Sequence, residues 1–264
     1  MSYALEKIIA DKKSNIEKYK KSFTIENLKK KISSYNNYLN FKDKLNHDKV
    51  SVIAEIKKAS PSAGVILEDY DPKSVAKEYF NSGADCLSVL TEENYFKGKL
   101  DDITEIKKEI KLPILCKDFF IESYQVYLAR SFGADAILII LSAVSEKTAR
   151  EIYDVAEELN MNTIVEVHTS EEAKNALNFK NAIIGINNRN LKTLKTDIQT
   201  TYDLYKVVSD HPGPLICESG IKSEKEVEEI VKKTKINNFL ICESLLKHLD
   251  KKPSLLEKIL QIKA

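Results

Sequence analysis

A chain of 264 residues holds either one barrel-sized domain or two small ones, and 43% hydrophobic with 31% charged residues suits a globular fold with a sizeable core rather than disorder. Lys plus Arg total 41 and Asp plus Glu 40, which excludes a bulk charge bias toward nucleic acid or an anionic membrane, so any anion site is local. Met1 to Ala10 mixes acids and lysines where a signal peptide needs an apolar core. The longest apolar run, Ala136 to Leu141, is far too short to span a bilayer, and a cytoplasmic protein is expected.

Residues 1–49 carry 12 lysines against 6 acids, with Leu5, Ile8 and Ile9, then Ile16, Tyr19 and Phe23, at helical spacing. They read either as amphipathic helices packed on the following domain or as a basic cover over an anionic substrate. From Val52 onward short apolar runs alternate with helical stretches: Val52 to Ile56, Cys86 to Leu90, Ile114 to Cys116, Ala136 to Leu141, Thr163 to Val167, Ala182 to Ile186, Leu215 to Cys217 and Phe239 to Cys242. Runs this continuous suit parallel strands covered on both faces by crossover helices. Ser170, followed by Glu171 and Glu172, is the expected N-cap of the helix between the fifth and sixth runs, and Ser223 opens a stretch ending near Lys233. Neighbouring run ends lie 21 to 34 positions apart, room for one βα unit each. The prediction is an eight-stranded (β/α)8 TIM barrel over residues 50–264 with an N-terminal helical extension over 1–49, all one domain. An open doubly wound sheet is the rival, but it calls for a Gly-rich phosphate turn after the first strand, and the chain has seven glycines in all.

Barrel chemistry sits where strands end at the carboxyl face. Glu55 and Lys57 alternate with Ile56, so both point to one side, the expected barrel mouth. Lys117 ends the third run, and Glu166 interrupts the apolar fifth. A strand buried on both faces does not carry such groups casually, and they serve either as internal ion pairs or as a site. Asn187 and Arg189 follow the sixth run. Arg189 is one of three arginines against 38 lysines, which suggests bidentate recognition of a carboxylate or phosphate. Glu218, Ser219 and Gly220 follow the seventh run, and Cys242, Glu243 and Ser244 close the eighth, the two loops where barrels hold phosphate; Ser219 and Gly220 equally suit a tight turn. The cysteines Cys86, Cys116, Cys217 and Cys242 sit in apolar runs without metal spacing and read as core thiols. Of His47, His168, His211 and His248 no pair has metal-ligand spacing, and only His168, by its parity with Glu166, can face the mouth.

Val52 to Pro61, continuing to Ser62, resembles the first-strand signature of the indole-3-glycerol-phosphate synthase family. Leu87 to Glu92 with Tyr95, Phe96 and Gly98, then Leu115 to Phe119, Ile164 to His168, Gly185 to Leu191, Glu218 to Ile221 and Phe239 to Leu245 continue the likeness in order. The resemblance implies ring closure of 1-(2-carboxyphenylamino)-1-deoxyribulose 5-phosphate with loss of carbon dioxide and water. Neither a metal nor an organic cofactor is implied, and the partner is a small phosphorylated molecule, with protein partners left open. It implies Lys117 as general acid, Glu166 as base, Lys57 as the second active-site lysine and Glu55 as the group orienting both lysines. Asn187 and Glu218 then hold substrate hydroxyl or amine groups, Arg189 and Ser60 its carboxylate end, and Phe96 a further part of the substrate. Ser219, Gly220, Cys242 and Glu243 take the phosphate.

Two residues depart from the family pattern. Cys242 stands where glycine is usual, at a loop whose backbone approaches phosphate closely, and a modest loss of affinity is expected. Lys99 replaces a small residue after Gly98. The competing readings are phosphoribosylanthranilate isomerase, the α subunit of tryptophan synthase and a non-catalytic barrel. None of them calls for the set Glu55, Lys57, Lys117 and Glu166.

Overall fold

Every strand of the sheet runs parallel to its neighbours: β1 (Ser51–Ile56), β2 (Cys86–Leu90), β3 (Ile114–Lys117), β4 (Ala136–Ile140), β5 (Asn162–Val167), β6 (Ile183–Asn187), β7 (Leu215–Glu218) and β8 (Asn238–Ile241). The computed structural model describes residues 3–45, 48–61, 64–247 and 252–263; His47, Ser62 and His248 lie outside them. Strands adjacent in sequence pair, and β8 closes on β1 from Ser51 opposite Asn238 to Ala54 opposite Ile241. The sheet is therefore a closed TIM barrel and not the open sheet held as its rival.

Closure explains the unbroken apolar runs. Ile53, Leu115, Leu138, Ile164, Ile183, Ile216 and Leu240 form the inner cluster, while the alternate residues Val52, Ala54, Leu87, Ile137, Val165 and Phe239 pack beneath the helices. Those helices are α3 (Pro72–Asn81), α4 (Glu93–Phe96), α5 (Leu100–Lys107), α6 (Tyr124–Ser131), α7 (Glu146–Glu158), α8 (Ser170–Ala176), α9 (Gln199–Val208), α10 (Glu224–Thr234), α11 (Glu243–Leu246) and α12 (Leu255–Ile259), preceded by α1 (Tyr3–Ser22) and α2 (Ile25–Ser33).

Some boundaries differ from expectation. Leu141 begins a 3-10 turn, Leu141–Ala143, and Cys242 has left β8 with φ −126° and ψ −85°. The N-cap of α8 is Thr169, extended at φ −135° and ψ 160°, whose side chain accepts from the Glu172 N–H; Ser170 is already helical. Ser223 caps α10 as expected, reciprocally with Glu226.

The extension clasps the barrel. Leu5, Ile8 and Ile16 of α1 are buried, and Lys12, only 6% exposed, pairs with Asp118 at 2.6 Å, which holds α1 beside the carboxyl end of β3. α2 packs along α6. The chain then crosses to the opposite end, where the Phe41 and Lys42 N–H groups donate to Asn162 Oδ1 at 2.8 and 3.0 Å and the buried Phe41 and Leu45 close the barrel bottom. No described residue of the extension lines the cavity discussed below, so the packed-helix reading holds and the basic cover does not. Among the described residues no helix is long and apolar enough to cross a membrane.

Candidate active site

A cavity of about 450 Å³ opens at the carboxyl ends of the strands. Glu55, Lys57, Lys117, Glu166, Asn187 and Glu218 supply its polar floor, and Leu90, Phe96, Phe119, Leu138, Ile140 and Leu191 an apolar wall. Parallel register puts the charges at one height: Asn187 lies opposite Glu218, Ile140 opposite Glu166 and Leu90 opposite Lys117. Arg189, Ser219, Gly220, Cys242 and Glu243 complete the rim. Of the residues given a catalytic, substrate or phosphate role from sequence, all but Ser60 line the cavity. Ser60 lies buried in a two-residue antiparallel ladder opposite Gly64, outside the cavity lining.

The two lysines occupy separate clusters. Lys117 Nζ donates to Glu218 Oε2 at 2.9 Å and to Glu166 Oε2 at 3.2 Å. Lys57 Nζ stands 3.5 Å from Glu55 Oε1 and 3.4 Å from Glu243 Oε1, and Arg189 Nη2 reaches the same Glu243 oxygen at 3.6 Å. Glu55 thus pairs with Lys57 and acts on Lys117 only at longer range, so of the two lysines it was expected to orient it contacts one. Glu218, expected to face substrate, is the nearest partner of Lys117.

Burial works against the charge of both lysines. Glu218 and Glu166 outweigh it at Lys117, and Glu55 with Glu243 at Lys57, so both ammonium groups are held charged, with pKa values above the ordinary. The two carboxylates on Lys117 diverge. Burial disfavours the charge of Glu166, but Lys117, His168 and Asn187 outweigh it and hold that carboxyl well below its usual range. Burial and repulsion from Glu166 prevail over Lys117 at Glu218, which is pushed up to about 7. Glu166 is therefore the ionised member of the pair.

His168 stands with Nε2 3.1 Å from Glu166 Oε1, as its parity suggested, whereas His211 binds the Ala182 carbonyl at 2.8 Å. Ser219 and Gly220 adopt successive left-handed conformations at φ +66° and +83°, natural for glycine and unusual for serine. Asn188 Nδ2, just after β6, donates to the Ser219 carbonyl at 3.0 Å, and Ser244 Oγ donates to the Ile221 carbonyl at 2.7 Å, tying the loop after β7 to its neighbours on both sides. Cys242 lines the cavity at the start of α11, its thiol pushed up by burial and by Glu55, so it is not the core thiol its sequence context suggested. Cys86, Cys116 and Cys217 are buried free thiols. Lys99 is exposed at the start of α5, outside the cavity lining. Sequence reasoning missed Lys222 and Lys247, which add cationic side chains to the rim; in a chain this rich in lysine, only their closeness to the two phosphate-type loops could have marked them.

Fold and site together define a barrel enzyme in which paired lysines and carboxylates at the mouth face an apolar wall. A profile of the indole-3-glycerol phosphate synthase family matches residues 5–257. The indole-3-glycerol phosphate synthase of Prochlorococcus marinus subsp. pastoris is 40% identical over 253 residues, covering 93% of this chain and 85% of that protein. The same enzyme of Acetivibrio thermocellus is 40% identical over 263 residues, 98% of this chain and 99% of its own. Tryptophan synthase subunit alpha from Legionella pneumophila superposes with a TM-score of 0.59 at 14% identity, covering 89% of this chain and 97% of that one, a likeness of fold alone. The chain belongs to the indole-3-glycerol phosphate synthase family.

Proposed function

We propose that the chain converts 1-(2-carboxyphenylamino)-1-deoxyribulose 5-phosphate to indole-3-glycerol phosphate, carbon dioxide and water, in the cytoplasm and within tryptophan biosynthesis. The observation that carries this reading is Lys117, held charged between Glu166 and Glu218 on the floor of a half-apolar cavity. An aromatic carbon is a weak nucleophile, so the ketone it attacks must be polarised by a proton donor; Lys117 gives its proton to that oxygen as the carbon–carbon bond forms. Loss of carbon dioxide restores electrons to the ring. Lys57 then assists departure of the hydroxyl as water while Glu166 takes the ring proton. With the substrate as a carboxylate, each turnover takes up one proton from solvent.

The remaining lining divides by chemistry. Leu90, Phe96, Phe119 and Ile140 receive the aromatic ring. Arg189 holds the carboxylate, Asn187 and Glu218 the hydroxyl and amine groups, and Ser219, Gly220, Cys242 and Glu243, helped by Lys222 and Lys247, the phosphate end. Glu243 now carries an ion pair to Lys57 and Arg189, which an arriving anion must exchange for its own.

The test follows indole-3-glycerol phosphate formation in wild type, Lys117→Ala and Glu166→Gln, with and without a chelator. Each substitution is expected to cost about 10²- to 10⁴-fold, and the chelator nothing. Full activity of Lys117→Ala removes the acid assignment. A wild-type chain that ignores this substrate but turns over that of phosphoribosylanthranilate isomerase overturns the reading altogether.

A further inference from the structure

Glu166 has two oxygens and several claimants. Oε2 faces Lys117 Nζ on β3 at 3.2 Å, and Oε1 faces His168 Nε2, on its own strand, at 3.1 Å. Asn187 on β6 bonds the carboxylate, and Glu218 on β7 stands against it as the second partner of Lys117. The other ring nitrogen of His168, Nδ1, lies 3.2 Å from Glu172 Oε2, and that oxygen also accepts from the His168 backbone N–H at 2.8 Å.

Local structure explains this row. Residues 166 and 168 share a face of β5 by strand parity, and Thr169 caps α8 so that Glu172, in the first helical turn, folds back onto the ring. Side-chain exposure rises outward, from 2% at Glu166 to 10% at His168 and 17% at Glu172. Neither His168 nor Glu172 lines the cavity, so neither is placed to touch substrate, and no role above uses them. Nδ1 is hydrogen-bonded to Glu172, which anchors the ring, while Nε2 meets Glu166 Oε1 as a close charge contact without hydrogen-bond geometry. Burial opposes the charge of the imidazole, but the flanking carboxylates outweigh burial and lift it to about 9, so at neutral pH the ring is an imidazolium.

We propose that His168 is a positioning residue for Glu166, anchored by Glu172: it occupies Oε1 and leaves Oε2, beside Lys117, as the oxygen that receives the proton from the substrate. This rests on the base role proposed for Glu166. Without the imidazolium, the carboxylate is free to swing. It also loses one of the two cations that keep it ionised against burial and against Glu218, so it protonates at higher pH.

Single-turnover rate and KM, measured from acid to neutral pH, test this in wild type, His168→Gln, Glu172→Gln and Glu166→Gln. His168→Gln is expected to slow the single-turnover rate about ten- to hundredfold at neutral pH, from loss of a buried cation in contact with the base, with KM within about twofold. Its acid limb moves to higher pH. Glu172→Gln, which keeps the shape of the anchor and removes its charge, moves rate and limb the same way by less, and reads the role even if His168→Gln fails to fold. A rate loss with an unmoved acid limb, or a loss confined to KM, overturns positioning in favour of plain structural support. Inactive Glu166→Gln beside wild-type behaviour of His168→Gln and Glu172→Gln overturns the positioning role and leaves the base intact. Wild-type turnover by Glu166→Gln removes the base, and the inference with it.

Discussion

Gly185 of β6 has no side chain because Glu218 fills the space where one would stand. A Cβ built there falls 2.0 Å from Glu218 Oε1, 3.2 Å from its Cδ and 3.1 Å from Ile164 Cγ2. The glutamate has no retreat, since its side chain is 1% exposed and its Oε2 is bound to Lys117. Gly185→Ala therefore combines an overpacking cost of about 1–3 kcal/mol with loss of a charged hydrogen bond of about 1.5–3 kcal/mol. At about 2–4 °C per kcal/mol for a chain of this size, the melting temperature falls by roughly 5–25 °C. Denaturation of wild type, Gly185→Ala, Glu218→Ala and the double variant isolates the cause, because removing the carboxylate opens the space the methyl needs. We expect Gly185→Ala to cost at least ~1 kcal/mol less in the Glu218→Ala background, and to keep its overpacking part of about 1–3 kcal/mol in Glu218→Gln, which retains the bulk without the charge. Equal costs in the Glu218→Ala and wild-type backgrounds, within ~0.5 kcal/mol, would show that the carboxylate is not what demands a glycine.

Cys242→Gly returns a bare backbone to the phosphate-type loop, and a gain of a few-fold in affinity for inorganic phosphate is expected on titration; no change counts against close backbone approach there. His168, raised in the folded chain from 6.5 to about 9, stabilises the fold fully below pH 6.5 and loses that contribution as pH rises through about 9. Urea unfolding across that window should show wild type gaining up to ~3 kcal/mol over His168→Gln on the acid side, with the advantage gone at the alkaline end. Lys12→Ala leaves Asp118 buried with only its bonds from Thr91 Oγ1 and the Phe119 N–H, and a loss of about 2–4 kcal/mol is expected. Because Asp118 adjoins Lys117, turnover per folded molecule should fall as well, and an unchanged rate refutes coupling of the clasp to the site.

The barrel was legible because local geometry carries it. Continuous apolar runs followed by helical stretches leave few ways to bury both faces of a strand, and the alternation at Glu55 and Lys57, or Glu166 and His168, fixes which side chains face inward from any strand-like backbone. Family resemblance added the roles, which neither parity nor composition contains. Cap positions were readable at Ser223 and off by one at Thr169, where two hydroxyl residues compete for a single extended backbone position.

What the sequence could not hold is who partners whom across the barrel. Lys117 meets Glu166 and Glu218 over separations of 49 and 101 residues, while Glu55 keeps to Lys57. Gly185 matters for room made beside Glu218, a residue on the neighbouring strand. Lys12 proves to be a buried clasp rather than part of a basic cover. Strand parity is a property of a few consecutive residues, so the sequence by itself determined which charges point into the barrel. The distances among those charges, and hence which carboxylate is held more firmly ionised, were decided only when the tertiary structure closed β8 onto β1 and set the register of all eight strands.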